Sequence, residues 1–139
     1  EWIFARAYDE ALDRGDASLR GRVGTAYVDY MEAMTAYYEG QSRALFDREI
    51  PQILLLHANS LNAHYLAALV ERLGGRGYAF VSLEAALTDP AYDSADTYTG
   101  SGGITWLHRW AITRDVDRSI FAGEPTTAEW VQELAGIRE

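Results

Sequence analysis

Residues 50–81 read IPQILLLHANSLNAHYLAALVERLGGRGYAFV, and this segment decides the fold class predicted for the chain. It opens with an apolar run, residues 52–57, that follows Pro51, and a strand tolerates proline only at such a start or at an edge. A strand that is apolar on both faces belongs in a parallel sheet covered by helices. Apolar residues at helical spacing predict a helix over 61–73, and residues 78–81 predict a second strand. Strand, helix and strand in this order predict an α/β fold with the two strands adjacent and parallel.

Helical patterns precede this segment. The first helix is expected to run to about Arg14 and to end at Gly15, and Asp16 or Ser18 is a candidate cap for the next helix. That second helix is long, and its apolar stripe is interpreted as core: Val23, Tyr27, Tyr30, Met31, Met34, Tyr38 and Leu45. A kink or break is expected near Gly40, because glycine costs roughly 1 kcal/mol against alanine inside a helix.

Further helix signals follow the first predicted strand. Asn59 or Ser60 can cap the helix over 61–73, and Ser82 can cap a brief helix that Pro90 stops. The chain beyond about residue 89 is interpreted as a C-terminal tail that contains a solvated loop.

Composition restricts the classes of protein to consider. The chain has 139 residues, which suits a single domain, and a net charge of −9, which disfavours nucleic acid as a partner. Its apolar runs are far shorter than the roughly 20 residues that span a bilayer. Since there is no cysteine, disulfides and thiolate metal sites are excluded.

His57 is the candidate catalytic residue. It ends the first predicted strand, and in parallel α/β folds binding and catalytic side chains gather at the carboxyl ends of strands. An imidazole exchanges a proton near neutral pH, so it suits general acid or base catalysis. On position alone, a structural histidine and a functional one remain equally open. Because His57, His64 and His108 lack the spacing of metal ligands, no metal site is predicted within the chain.

Two short motifs resemble those of the NodB-like polysaccharide deacetylases, carbohydrate esterase family 4. Ile53–His57 is similar to the last signature motif of that family, an apolar strand that ends in Leu-x-His, and Glu1-Trp2 is similar to the end of the preceding motif, D-x-x-D-W. The family usually has Asp where Glu1 stands, and an acidic residue where this chain has Ala58. The segment Trp106–Trp110 is similar to a bacterial subgroup of these deacetylases.

The resemblance implies a fold and a reaction. The fold is a distorted (β/α) barrel with fewer than eight strands, of which residues 1–139 would be the C-terminal portion. The reaction is metal-dependent removal of N- or O-acetyl groups from a polysaccharide. The divalent metal, usually zinc, would be held by an Asp and two His in the N-terminal half of the domain, outside this chain, so that this chain alone would bind none and be inactive. The substrates of the family favour a periplasmic or cell-envelope location.

The resemblance also assigns roles to four residues. His57 would be the general acid that protonates the leaving group, and Glu1 would tune and orient its imidazole. Trp2 and Leu55 would line the pocket for the acetyl methyl.

Two other functions stay open. One is a hydrolase of small cyclic amides or formamides with the same fold. The other is a non-catalytic interaction module, for example one that binds glycan through Trp106 and Trp110, because tryptophan rings can stack on sugars.

Overall fold

The computed structural model describes residues 1–137, and throughout this part of the chain the regular structure is helical. Six α-helices follow one another: α1 (Trp2–Asp13), α2 (Ala17–Phe46), α3 (Ser60–Gly75), α4 (Leu83–Ala86), α5 (Trp106–Thr113) and α6 (Glu129–Ala135). Two short 3-10 turns complete the described elements, at Pro90–Asp93 and Arg118–Phe121.

The two strands predicted from the sequence are absent. Residues 52–57 and 78–81 are irregular, and the described part of the chain contains no β-strand. A strand exists only where its backbone groups pair with those of a neighbour, and none of residues 52–56 makes a described backbone–backbone hydrogen bond. The predicted α/β fold, its parallel βαβ unit and the assignment to a NodB-type barrel are therefore wrong for this structure.

The helix boundaries predicted upstream are largely confirmed. Helix α1 ends at Asp13, and Gly15 follows with φ of 65°, a left-handed conformation that glycine adopts without strain. Asp16 caps α2, since its Oδ1 accepts a hydrogen bond of 2.8 Å from the amide of Leu19. The expected break near Gly40 does not occur, because α2 continues to Phe46.

Both predicted caps downstream are present. Asn59 Oδ1 accepts a hydrogen bond from the amide of Asn62 at 2.8 Å and begins α3. Ser82 Oγ accepts a hydrogen bond from the amide of Ala85 at 3.2 Å and begins α4. These caps satisfy amide groups that the first turn of a helix leaves unpaired.

The described chain divides into two compact units. The first comprises residues 1–34, residues 54–79 and the chain from Pro125. Within it, α1 packs against α3 and α6, and the N-terminal part of α2 completes the core. The buried centre of this unit is apolar and consists of Ile3, Phe4, Ala7, Tyr8, Val23, Tyr27, Val28, Leu61, Leu69, Leu73, Val131 and Ala135.

The second unit comprises residues 35–53 and 80–124. Its core forms around Trp110, which is 1% exposed and packs edge-on against Phe46 and Tyr92 at centroid distances of 5.5 Å. Ile50 and Leu107 also contribute buried side chains to this core.

Within the described residues, no helix combines the length and apolar character needed to cross a membrane.

Gly24 allows α2 and α3 to approach closely, because a methyl group at this position would overlap the ring of Tyr65. That ring also packs edge-on against Tyr8, so it cannot move aside without disturbing the core. Gly24→Ala is therefore expected to lower the free energy of unfolding through overpacking, which typically costs about 1–3 kcal/mol.

Gly21 is the matched control for this prediction. It lies in the same helix, and a methyl group there would meet open space. Gly21→Ala is expected to stabilise the protein by up to about 1 kcal/mol through helix propensity alone. Chemical denaturation of both variants measures the difference, and equal shifts of the same sign would contradict the close approach at Gly24.

Candidate functional site

The structure brings Glu1 and His57 into direct contact, although 56 positions separate them in the sequence. Glu1 is the N-cap residue of α1, and His57 lies in the irregular segment that leads into α3. The distance between His57 Nδ1 and Glu1 Oε2 is 2.8 Å. A carboxylate only accepts hydrogen bonds, so Nδ1 carries the proton that joins the two groups. The two residues assigned catalytic roles by the resemblance thus form a hydrogen-bonded pair.

The second oxygen of Glu1 is held by two asparagines at the start of α3. Asn59 Nδ2 donates to Glu1 Oε1 at 2.6 Å, and Asn62 Nδ2 donates to the same oxygen at 2.9 Å. The N-terminus of a helix carries a partial positive charge that favours a nearby anion. Both oxygens of the carboxylate therefore have partners, and the carboxylate has a fixed orientation.

Asn62 links this pair to the core of the first unit. Its Nδ2 also donates to the carbonyl oxygen of His57 at 2.8 Å, and its Oδ1 accepts a hydrogen bond from the Tyr27 hydroxyl at 2.7 Å. Asn62 is buried, and Tyr27 is fully buried. The polar groups of the Asn62 amide are all satisfied, as buried polar groups require.

The surroundings of Glu1 act on its pKa in opposite directions. Burial raises the pKa of the Glu1 carboxyl, but hydrogen bonds from His57 and then from Asn59 lower it, and the net pKa lies below the ordinary value. Glu1 is thus ionised at neutral pH. Because the folded state depresses this pKa, Glu1 contributes stability above its ordinary pKa, and the contribution is lost as the pH falls through the lowered value.

Exposure differs sharply between the two members of the pair. The side chain of His57 is 70% exposed and that of Glu1 is 11% exposed. Nδ1 is the atom of the His57 ring for which a hydrogen bond is described, so Nε2 is left to face solvent or a ligand. The arrangement therefore has a partly buried, oriented carboxylate behind an accessible imidazole.

Trp2 and Leu55 are both exposed, at 56% and 78% respectively. Their accessible apolar surface is compatible with contact to a small apolar group, but no contact of either side chain with His57 is described. The structure thus brings together Glu1 and His57, and the pocket role of Trp2 and Leu55 stays a prediction.

The other two histidines are engaged elsewhere. His64 Nδ1 lies 3.0 Å from the Tyr8 hydroxyl, and His108 Nε2 lies 3.2 Å from the Tyr37 hydroxyl. Burial lowers the pKa of His108, which favours its neutral form. Among residues 1–137 no group of three or more His, Asp or Glu side chains could hold a metal ion.

The two tryptophans proposed for sugar stacking differ in accessibility. Trp110 is buried in the core of the second unit, whereas Trp106 is 49% exposed. Arg109 lies over the Trp106 ring at 4.8 Å, in cation–π geometry. Trp110 is therefore a core residue, and a sugar could stack only on Trp106.

Sequence reasoning missed two residues of the site, Asn62 and Tyr27. Asn62 is buried in α3, whose other buried residues are leucines, and a polar residue in such a helix was the available signal. Tyr27 belongs to the aromatic stripe interpreted as core, and it is indeed buried. Its hydroxyl gave no sequence signal, because its partner lies 35 positions away.

No protein-family model matches the chain, and no match was found among the curated proteins or the solved structures.

Proposed function

We propose that Glu1 and His57 are the general-acid pair of a hydrolase that removes acetyl groups from a polysaccharide. The observation that carries this proposal is the 2.8 Å contact between His57 Nδ1 and Glu1 Oε2. The resemblance to the deacetylases rests on these same two positions, and the fold places them together without the barrel that the resemblance implied. The proposal concerns the chemistry of the pair and does not depend on a parallel sheet.

The pair suits proton donation to a leaving group. Deacetylation adds water to the acetyl carbonyl and breaks the C–N or C–O bond, which yields acetate and a free amine or hydroxyl. The departing atom needs a proton, and protonated His57 supplies it from Nε2. Glu1 accepts the hydrogen bond from Nδ1 and holds the ring in place, as a carboxylate does in other acid–base histidine sites.

Activation of the attacking water is not assigned to the described residues. They include no metal-binding group, and the family's divalent metal, usually zinc, would be held by residues outside this chain. The partner that completes the site would then be a segment or a protein that carries this metal site. Leu54 and Leu55 are exposed beside His57 in the sequence, and their apolar side chains offer a surface for that partner.

An acetylated glycan is the proposed substrate, and the periplasm or cell envelope is the proposed location. The exposed surfaces of Trp2 and Leu55 suit the methyl of an acetyl group. The alternative function, hydrolysis of a small cyclic amide, gives a different product, because the ring opens without releasing acetate. Product analysis therefore separates the two hydrolases.

The test measures acetate released by the native protein from an N-acetylated glycan and an O-acetylated glycan, with ring opening of a cyclic amide measured in parallel. We expect acetate from at least one glycan. Glu1→Gln is expected to lower that turnover by about 10- to 100-fold, because a hydrogen bond to a charged group is worth about 1.5–3 kcal/mol and each 1.36 kcal/mol is tenfold in rate.

Glu10→Gln is the matched control for Glu1→Gln. Glu10 lies in α1 and is exposed, with Arg14 as its partner at 2.8 Å. Its loss should leave turnover unchanged. No acetate from either glycan, or equal losses in the two variants, would refute the proposed function.

A further inference from the structure

A chain of hydrogen bonds runs from the buried core of the first unit to the exposed imidazole. The Tyr27 hydroxyl donates to Asn62 Oδ1 at 2.7 Å, Asn62 Nδ2 donates to Glu1 Oε1 at 2.9 Å, and Glu1 Oε2 accepts from His57 Nδ1 at 2.8 Å. Side chains from α1, α2 and α3 thus meet at one point. Tyr27 and Asn62 are buried and do not face solvent.

In each of these hydrogen bonds, the chemistry of the two groups determines which one donates and which one accepts. Burial, and to a lesser extent the charge of Glu1, raise the pKa of Tyr27 to about 12, so the hydroxyl keeps its proton at neutral pH. Asn62 Nδ2 faces two acceptors, Glu1 Oε1 and the carbonyl oxygen of His57. If the amide were turned over, Oδ1 would face both acceptors, and repulsion would break both bonds. Tyr27 therefore stabilises the single amide orientation in which Asn62 donates to Glu1.

We infer that Asn62, oriented by Tyr27, is a positioning residue that holds Glu1 and thereby selects the His57 tautomer whose proton lies on Nδ1. In that tautomer Nε2 carries no proton, so it can take up the proton that it then donates to the leaving group. The inference rests on the proposed function for its catalytic meaning, while the tautomer itself is a property of the folded chain.

Asn59 has a different part in the same cluster. Its Oδ1 caps α3 and its Nδ2 donates to Glu1 Oε1, so its loss would disturb both the helix and the carboxylate. Tyr27→Phe is the cleaner test, because it removes one hydroxyl and keeps the buried ring. Tyr8→Phe is the matched control, since it removes a tyrosine hydroxyl that contacts His64 in the same unit and does not touch Glu1.

The experiment is ¹⁵N NMR of the histidine ring nitrogens in the native protein at alkaline pH, where imidazoles are neutral. We expect wild type and Tyr8→Phe to show His57 with its proton on Nδ1. Tyr27→Phe and Asn62→Leu are expected to shift His57 towards the tautomer with its proton on Nε2. An unchanged His57 tautomer in folded Tyr27→Phe would overturn the inference. An equal shift in Tyr8→Phe would also overturn it, because the effect would then be a general one of loosened packing.

Acetate release from the glycan is measured on the same samples. We expect kcat to fall at least severalfold in Tyr27→Phe with KM unchanged, because orientation of the acid matters for the reaction step and not for binding. If no sample releases acetate, the proposed function fails while the tautomer result still decides the inference. If acetate is released and the tautomer shifts but kcat does not fall, the positioning role is overturned and the proposed function stands.

Discussion

His57→Ala in the native protein is expected to lower turnover of an acetamide substrate by about 10² to 10⁴-fold, the usual contribution of a general acid. The loss should be much smaller on an aryl acetate, because its leaving group departs without a proton. The measurement is the ratio of wild-type to variant rates on each of the two substrates, with the metal content of each sample determined beside it. The metal content should not change, because His57 is assigned as an acid and not as a ligand.

His64→Ala is the matched control for His57→Ala. His64 lies in the same unit, and its described hydrogen bond is to the Tyr8 hydroxyl. We expect its loss to leave the two rate ratios equal to each other and close to one. If His57→Ala lowers both rates by the same factor, or if metal is lost together with the imidazole, then His57 is not the general acid.

Leu69→Ala is expected to have the largest effect on stability among the substitutions considered. Leu69 is fully buried on α3, in the core of the first unit. Removing a buried leucine side chain loses its transfer free energy and leaves a cavity, and together these cost about 2–5 kcal/mol. Chemical denaturation should therefore show a lower free energy of unfolding by that amount.

Leu66 offers a control within the same helix and with the same substitution. It is 44% exposed, so Leu66→Ala should cost less than about 1 kcal/mol. If both leucines packed against a sheet, as the helix of a βαβ unit would allow, the two losses would be similar. Similar losses would show that the helical packing described for α3 is wrong.

The helices of this chain were readable from its sequence because their signals are local. The cap at Asp16 and the cap at Asn59 each act on an amide three positions away, and the end of α1 depends on the single glycine that follows Arg14. Such interactions depend only on nearby residues and not on the remaining fold. For the same reason the apolar spacing located α3, but it did not distinguish Leu69, which is buried, from Leu66, which is 44% exposed. The break expected at Gly40 did not form, since one unfavourable residue does not interrupt a helix of 30 residues.

Tertiary structure alone decided whether the apolar runs would be strands. Residues 52–57 have strand composition, but a strand needs a backbone partner, and that partner is not specified by the run itself. The candidate site, too, was indicated in part by the sequence and completed only by the fold. The sequence pointed to Glu1 and His57 through a resemblance, and only the fold brought them to 2.8 Å. It also added Tyr27 and Asn62, because a hydrogen bond between residues 35 positions apart depends on how α2 and α3 pack and leaves no trace in local sequence.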